Sequence, residues 1–452
     1  MTNRFSRRTV LQAAGALALT PATAFAANPR VALRLLETSD LHVNVYPYDY
    51  YRDKPDDTVG LAKTATLIKV ARGEVKNSLL FDNGDIIQGS PMGDFMAYKK
   101  GLKKGDVHPI IASMNALDYA ACTLGNHEFN YGLEYMDNAL GGANFPSTCC
   151  NLLMPDGKAR AKPWLVIEKN VTDADGASHM LRIGVIGFLP PQIMQWDKGN
   201  LEGKVTTTDI VQAAEKYVPE LRAQNVDLVV ALCHSGISRS ARQVGEENAA
   251  LFLSKVPGID AIFTGHQHLV FPGKDFAGIE GVDAVKGTLN GIPAVQPGFW
   301  GSHLGIIDLN LEKDGAKWKV ADFKVEARPI YERDAARKIV PKAEADVAVL
   351  AAAKADHEGT LGYVRAPVGE TKAPINSYFA LVADDPSVQI VSVAQIWYVK
   401  ALAATNPALK NLAVLSAAAP FKSGGRGGPD YYTDVKAGPI AIKDVAECPM
   451  FT

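Results

Sequence analysis

Cysteine is scarce in this 452-residue chain, and its five copies exclude a disulfide-built scaffold. Cys122, Cys149, Cys150, Cys233 and Cys448 are odd in number and irregular in spacing. Cys149 and Cys150 are adjacent, while Cys122 and Cys233 lie inside apolar runs, where a thiol behaves as a small hydrophobe. A charge excess is missing too. Lys plus Arg number 47 against 49 Asp plus Glu, a formal net charge of −2, so the polybasic footprint of a protein that grips nucleic-acid polymers or anionic membranes is absent. Repeats and low-complexity tracts are lacking, and beyond the first 26 residues no segment reads as long enough for the roughly 20 apolar residues of a membrane span. An anionic substrate would be captured locally, and balanced charge favours a small one. Hydrophobic content of 47% in a chain of this length is ample for two or three domains with sizeable cores.

The first 26 residues read as a removable leader. Ser6-Arg7-Arg8-Thr9-Val10-Leu11-Gln12 is a twin-arginine pattern, a mild apolar run follows over 13–19, and Ala24-Phe25-Ala26 offers a cleavage site before Ala27. The expectation is export by the twin-arginine machinery to a bacterial periplasm, with no stable membrane anchor.

From 31 to about 309, apolar runs alternate with helical stretches, the α/β signature. Helices are expected over 61–70, 129–140 and 210–223, and the later runs at 291–296 and 304–309, with no helix between them, suggest a mixed sheet. The stretch 335–354, rich in Ala, Lys, Glu and Asp, reads as a surface helix within a linker over 335–361. These bounds give a main domain over 27–334 and a second over 362–452, with a helix at 388–402 and a strand at 412–415. The second domain ends from Asp444 to Thr452 without a recognisable closing element and reads as incomplete.

Five short segments place candidate metal ligands just after an apolar run. They are Asp40-Leu41-His42, Gly84-Asp85, Gly125-Asn126-His127-Glu128, Cys233-His234-Ser235 and Gly265-His266-Gln267-His268. The runs before them, at 31–36, 79–81, 119–124, 226–232 and 259–263, are rich in Val, Ile and Leu and read as buried strands. Ligands therefore gather where several strands end, which is where open α/β sheets build their sites. Asp40 and His42, like His266 and His268, stand at i and i+2, on one face of an extended segment. Singly, each has an ordinary explanation: an Asp after Asn-Gly is a turn residue, and a His at a strand end is a hydrogen-bonded core residue. Five in order make coincidence improbable. Two Asp, one Asn and four His offer O and N donors to two divalent ions with no thiolate, which admits Zn, Mn, Co or Fe. Two ions about 4 Å apart would acidify a shared water, bind phosphate oxygens and stabilise an in-line displacement. His127, not needed as a ligand, is free to meet charge on the leaving oxygen.

Taken together, Asp40-x-His42, Gly84-Asp85, Gly125-Asn126-His127-Glu128, His234 and Gly265-His266-x-His268 resemble the calcineurin-like metallophosphoesterases, over roughly residues 35–309. Within them the chain is similar to the exported 5′-nucleotidase family, on the side of the 2′,3′-cyclic-nucleotide 2′-phosphodiesterase/3′-nucleotidases. The resemblance implies an α/β fold, a two-sheet αββα sandwich with an incomplete second α/β domain. It implies that Asp40, His42, Asp85 and His268 hold one metal and Asp85, Asn126, His234 and His266 the other, with Asp85 bridging and His127 as the catalytic imidazole. The substrate implied is a small nucleotide. Two details favour the cyclic-nucleotide side. The 5′-nucleotidases typically read Gly-Asn-His-Glu-Phe-Asp where this chain has Asn130 at the last position, and tend to carry Gln where it has His268. The stretch 371–385 is also similar to that branch.

In the second domain, Phe421-Lys422-Ser423-Gly424-Gly425-Arg426-Gly427-Gly428 is a glycine-rich loop in which backbone amides could approach an anion and Arg426 offers a forked donor. With the resemblance, Arg426 and Gly425 become candidate substrate contacts. Tyr431 and Tyr432 read first as packing residues. The competing readings are a 5′-nucleotidase or sugar-nucleotide hydrolase, an enzyme of thiosulfate-type thioesters, and a metal-binding remnant without turnover.

Overall fold

The computed structural model describes residues 28–315, 317–419, 422–424 and 431–448. The expected leader over 1–26 and the candidate substrate contacts Gly425 and Arg426 lie outside the described residues.

Period-two alternation with both faces apolar builds the centre of the molecule. Along Leu228–Cys233 the side chains of Leu228, Val230 and Leu232 enter one buried cluster, while Val229, Ala231 and Cys233 enter another on the opposite face. A strand covered on both sides needs such a continuous apolar run, the normal state of a parallel sheet between layers. Arg30–Thr38 repeats the pattern, with Val31, Leu33 and Leu35 facing inward and Leu36 outward.

These strands seed two sheets. The first, six-stranded, has the order Lys317–Pro329, His303–Asp314, Arg30–Thr38, Ser78–Asp82, Ala121–Thr123, Ser147–Thr148. The last four run parallel and the first two antiparallel, so the sheet is mixed. The second, eight-stranded, has a parallel centre of Ser178–Phe188, Leu228–Cys233, Ala261–Thr264 and Ile292–Pro297, with Trp164–Thr172 antiparallel beside it. Phe81, Leu35 and Ala121 of the first sheet share a core with Val185, Val230, Phe263 and Val295 of the second. Each fully buried Val, Leu, Ile or Phe there is worth about 1.5–3 kcal/mol, so this shared layer is the main cohesive element.

Helices close the outer faces. Leu61–Gly73 lays Leu61, Ala65 and Ile68, at i, i+4 and i+7, against Leu36 and Leu80. Ile210–Arg222 does the same with Ile210, Ala214, Val218 and Leu221 against Val229 and Ala231, its first turn capped by the Asp209 side chain, which accepts from the Gln212 amide. The order helix, sheet, sheet, helix is the αββα sandwich expected.

Several elements differ from the sequence expectation. The helix expected over 129–140 is Leu133–Leu140, because residues 125–132 are turns whose backbone serves the site. In place of one helix over 335–354 stand a short strand, Ile339–Pro341, and two helices, Val347–Ala352 and Lys354–Val364. Pro341 lacks the amide that helix continuation needs, and Asp346 starts the next helix by accepting from the amides of Ala348 and Val349. This segment is no surface bridge: Val349, Ala353 and Val364 are fully buried in the first sheet's outer core. Residues 412–415 form no strand. Beyond them, Pro367–Thr371 pairs with Gly438–Ala441 and Ile375–Asn376 with Asp434–Val435. Pro386–Ala404 is the expected second-domain helix, extended at both ends, and it exposes Val393, Trp397, Val399 and Leu402. With 19 residues and a mean hydropathy of 1.2 it is long and apolar enough, by length and composition, to cross a membrane, where none beyond the leader was expected. All five cysteines are free thiols, four of them buried.

Candidate metal centre

All five ligand-bearing segments follow the carboxyl ends of strands in the two sheets, and the sandwich brings those ends together. Asp40 and His42 follow Arg30–Thr38, Asp85 follows Ser78–Asp82, and Asn126 and His127 follow Ala121–Thr123, all on the first sheet. His234 follows Leu228–Cys233, and His266 and His268 follow Ala261–Thr264, on the second. At each strand end the chain must turn sharply to aim its side chain. Asp40, His42, Asp85, His266 and His268 all adopt positive φ, between 47° and 72°, a region non-glycine residues rarely occupy. Two glycines make the convergence possible. A Cβ on Gly125 would lie 2.2 Å from Asp85 Oδ1, and one on Gly265 would lie 2.3 Å from Ser39 Oγ and 2.8 Å from Asp40 Oδ2.

Asp85 is the hub. Its Oδ2 lies 3.0 Å from His234 Nε2 and 3.8 Å from His42 Nε2, and its Oδ1 accepts the His127 backbone amide at 2.7 Å. Asp40, His42 and His268 form one group able to hold a cation, and Asp85, His234 and His266 a second; in each, the ligand atoms lie within 4.8 Å of one another. His42 Nε2 and His268 Nε2 are 3.0 Å apart, and His268 Nε2 is 3.4 Å from Asp40 Oδ1. His127 completes a third such group with His42 and Asp85. Six of the seven expected ligand residues therefore gather at one place with His127, and Asn126 stands beside His127 in the same loop.

Outer hydrogen bonds fix which atom each ring offers. His42 Nδ1 donates to the Gln88 carbonyl at 2.7 Å and His234 Nδ1 to the Asn83 carbonyl at 2.7 Å, leaving both Nε2 atoms facing the site. His266 Nε2 bonds Glu247 Oε1 at 2.7 Å, so its Nδ1 remains for the site. Such partners set tautomer and ring orientation in metal sites. Aromatic rings brace the two most open ligands: Trp196 stacks on His266 at 5.7 Å and Phe299 on His268 at 4.7 Å.

The electrostatics ask for cations. Burial opposes ionisation of Asp40 and Asp85, yet neighbouring imidazoles hold both below the ordinary carboxylate range. Burial likewise disfavours charge on His234, but Asp85 and Asp40 outweigh it and lift its pKa to about 10, so a proton stands where positive charge is wanted. Burial instead lowers His42 to about 4, leaving its Nε2 lone pair free at neutral pH. The Asn126 side-chain oxygen is buried with no hydrogen-bond partner. Orphaned acceptors of this kind cost free energy unless something fills the role of donor, and a divalent ion coordinated by N and O does so.

Three supporting residues escaped the sequence reading. Glu128 was read only as part of Gly-Asn-His-Glu. Its carboxylate accepts the amides of Asp85 (3.0 Å), Ile86 (2.7 Å), Ile87 (3.3 Å) and Gly125 (2.6 Å), tying two ligand loops into one knot. Flanked by Asn126, His127 and Asn130, it carried no sequence signal of its burial. Glu128→Ala would orphan these amides at about 1–3 kcal/mol each for buried groups. We expect a loss of at least about 3 kcal/mol in denaturant unfolding; a loss under 1 kcal/mol would show the knot to be dispensable. Glu247 and Asp197 carried no local signal, since their partners are far away in sequence.

The calcineurin-like phosphoesterase family pattern matches residues 33–270, more than half of the chain. The chain is 52% identical over 419 residues to a 2′,3′-cyclic-nucleotide 2′-phosphodiesterase/3′-nucleotidase of Salmonella typhimurium, covering 92% of this chain and 64% of that protein. It is 50% identical to the protein of the same name from Yersinia enterocolitica, covering 96% of this chain and 66% of the relative. The chain thus spans just under two thirds of the length of these relatives. Among solved structures, the calcineurin-like phosphoesterase YfkN from Bacillus subtilis is 44% identical with a TM-score of 0.70, and the match covers 75% of this chain and 100% of that one. The family works with divalent metals, and the clustered Asp, Asn and His groups at the ends of paired sheets are where such ions would be held. Pattern, relatives and sandwich agree: the chain belongs to the calcineurin-like phosphoesterase family.

Proposed function

We propose that this chain hydrolyses nucleoside 2′,3′-cyclic phosphates and 3′-nucleotides to nucleosides and phosphate, using two divalent ions. The observation that carries the reading is the convergence of Asp40, His42, His234, His266 and His268 on one buried carboxylate, Asp85, in a chain about half identical to enzymes named for that activity. Asp40, His42, Asp85 and His268 would hold one ion and Asp85, Asn126, His234 and His266 the other, with Zn, Mn, Co or Fe compatible with the donor set. Bound there, the ions supply Lewis acidity toward phosphoryl oxygens and lower the pKa of water.

The residues of the chain do the rest. Asp85 would be the carboxylate shared by both ions, and the buried rings of His42 and His234 exclude bulk water from that side. The His127 ring lies 4.8 Å from that of His42, centroid to centroid. Its Nε2 can hold a proton toward the leaving 2′-oxygen in ring opening, then toward the 3′-oxygen when the monoester is cleaved. Beside His268 a cavity of about 390 Å³ is lined by Tyr48, Arg52, Phe299, Trp300, Lys422 and Tyr431. Its aromatic walls suit a nucleoside base, while its two cations face acidic partners, Arg52 with Asp49 and Lys422 with Glu447.

The test is a substrate panel with purified, ion-loaded protein. Release of 3′-AMP and then adenosine from 2′,3′-cyclic AMP is expected. Cleavage of 5′-AMP with 2′,3′-cyclic AMP left untouched would overturn the reading. Twin-arginine export to the periplasm, with cleavage before Ala27, is part of the proposal and rests on the leader motif; fractionation with amino-terminal sequencing of the recovered protein tests it.

A further inference from the structure

Asn130 stands where the 5′-nucleotidase pattern has Asp, and its surroundings explain how an amide can serve there. His127 Nδ1 lies 2.6 Å from Asn130 Oδ1, and Asn130 Nδ2 donates to Asp197 at 3.0 Å (Oδ1) and 3.1 Å (Oδ2). A carboxylate only accepts. The amide must therefore turn its NH2 toward Asp197 and its carbonyl toward His127, since the flipped amide would set oxygen lone pairs against oxygen. With a carbonyl before it, Nδ1 of His127 must carry hydrogen. Asp197 is rigidly seated: it lies between Ile193 and Leu201, both fully buried in the first sheet's outer core. Its side chain caps neither of the short helices beside it, Ile193–Trp196 and Lys198–Leu201. Its neighbour Trp196 is the ring stacked on His266, so one short turn braces both the catalytic imidazole and a ligand.

We infer that Asp197, acting through Asn130, is a positioning residue that commits His127 Nδ1–H to the protein and presents His127 Nε2 to the reacting phosphate. The inference rests on the proposed role of His127, and its test separates the two. The relay replaces a single carboxylate against the imidazole by a neutral amide with the carboxylate one step behind. Orientation is retained while the negative charge is held farther from the phosphate, which is itself anionic.

The charge can be moved back by exchange. In Asn130→Asp the new carboxylate accepts from Nδ1 but lies about 3 Å from Asp197, where two carboxylates repel. In the pair Asn130→Asp/Asp197→Asn, the amide at 197 donates to the carboxylate at 130 and the chain of bonds is whole again. We expect Asp197→Ala and Asn130→Asp each to lower kcat on 2′,3′-cyclic AMP by roughly 10–100-fold, as loss of such outer partners does, with KM within about threefold. The exchanged pair should return to within about threefold of the parent, and a p-nitrophenyl phosphodiester, whose leaving group needs no proton, should lose much less in every variant. Nitrogen-15 NMR of histidine-labelled protein, with His127 assigned by His127→Asn, provides a readout independent of turnover: a pyrrole-type Nδ1 in the parent and the exchanged pair, lost in Asp197→Ala. Absence of nucleotide hydrolysis with that NMR pattern intact would sink the proposed function and leave this inference standing. Parent-like kcat and Nδ1 signal in Asp197→Ala, or losses in the exchanged pair equal to the product of the single losses, would overturn it.

Discussion

Asp85→Asn should leave a folded protein with almost no hydrolysis of 2′,3′-cyclic AMP. The asparagine keeps the size of the side chain and an oxygen for the His127 amide, now 2.7 Å from Asp85 Oδ1. What it removes is the negative charge common to both ligand groups, at a residue only 1% exposed. Charge neutralisation by ions at a phosphoryl centre is worth several kcal/mol, and each 1.4 kcal/mol or so is a factor of ten in rate. A fall in kcat of at least about a hundredfold is therefore expected, together with loss of one or both ions by elemental analysis. Circular dichroism should be unchanged. Parent-like turnover in this variant would mean that Asp85 bridges nothing, and no turnover in parent or variant, with full ion content, would favour the remnant without activity.

Exhaustive chelation should abolish turnover altogether and make the protein easier to melt. The site holds two ionised carboxylates and a buried acceptor without a donor, so the ion-free fold carries repulsion and unmet bonding that the ion-loaded fold does not. An ion present at a hundred times its dissociation constant stabilises the fold by about 2.7 kcal/mol. In a domain of this size that corresponds to roughly 4 °C in melting temperature. Re-adding Mn, Co or Zn one at a time should restore both properties, and the ion that does so at the lowest concentration identifies the preferred one. Undiminished rate in protein stripped below one ion per ten chains would refute the metal requirement.

The sandwich was legible because its strands are covered on both faces. The runs ending at Leu36, Leu232 and Phe263 are continuous, and a ligand within four residues of each one fixes which end of the sheet matters. Local pattern failed where tertiary demand overrode it. Residues 129–132 are apolar and polar at helical spacing, yet their backbone is taken up by the site: the Phe129 and Asn130 carbonyls accept from Asn200 Nδ2 at 3.0 Å. The helix expected from Ala335 is shifted toward the carboxyl end because Pro341 and the cap at Asp346 set a later start. The partners of the ligands were hidden for another reason. Asn130 and Asp197 are 67 residues apart and His266 and Glu247 are 19 apart, and no spacing rule links residues brought together only by tertiary packing.

That packing gives the centre an unusual dependence on chain order. Asp40, His42, Asp85 and Asn126 come from the amino-terminal half of the sandwich and His234, His266 and His268 from the later half, with the exposed turn Asp156-Gly157-Lys158 between them. During synthesis one proposed ligand set is complete only when His266 has left the ribosome and the other only when His268 has, so ions would act as rivets driven through a late seam and not as seeds for its first sheet. Opened at that turn, the sandwich would become two polypeptides that divide the seven groups four to three. Tight ion uptake would then report, by itself, that the two pieces had found each other.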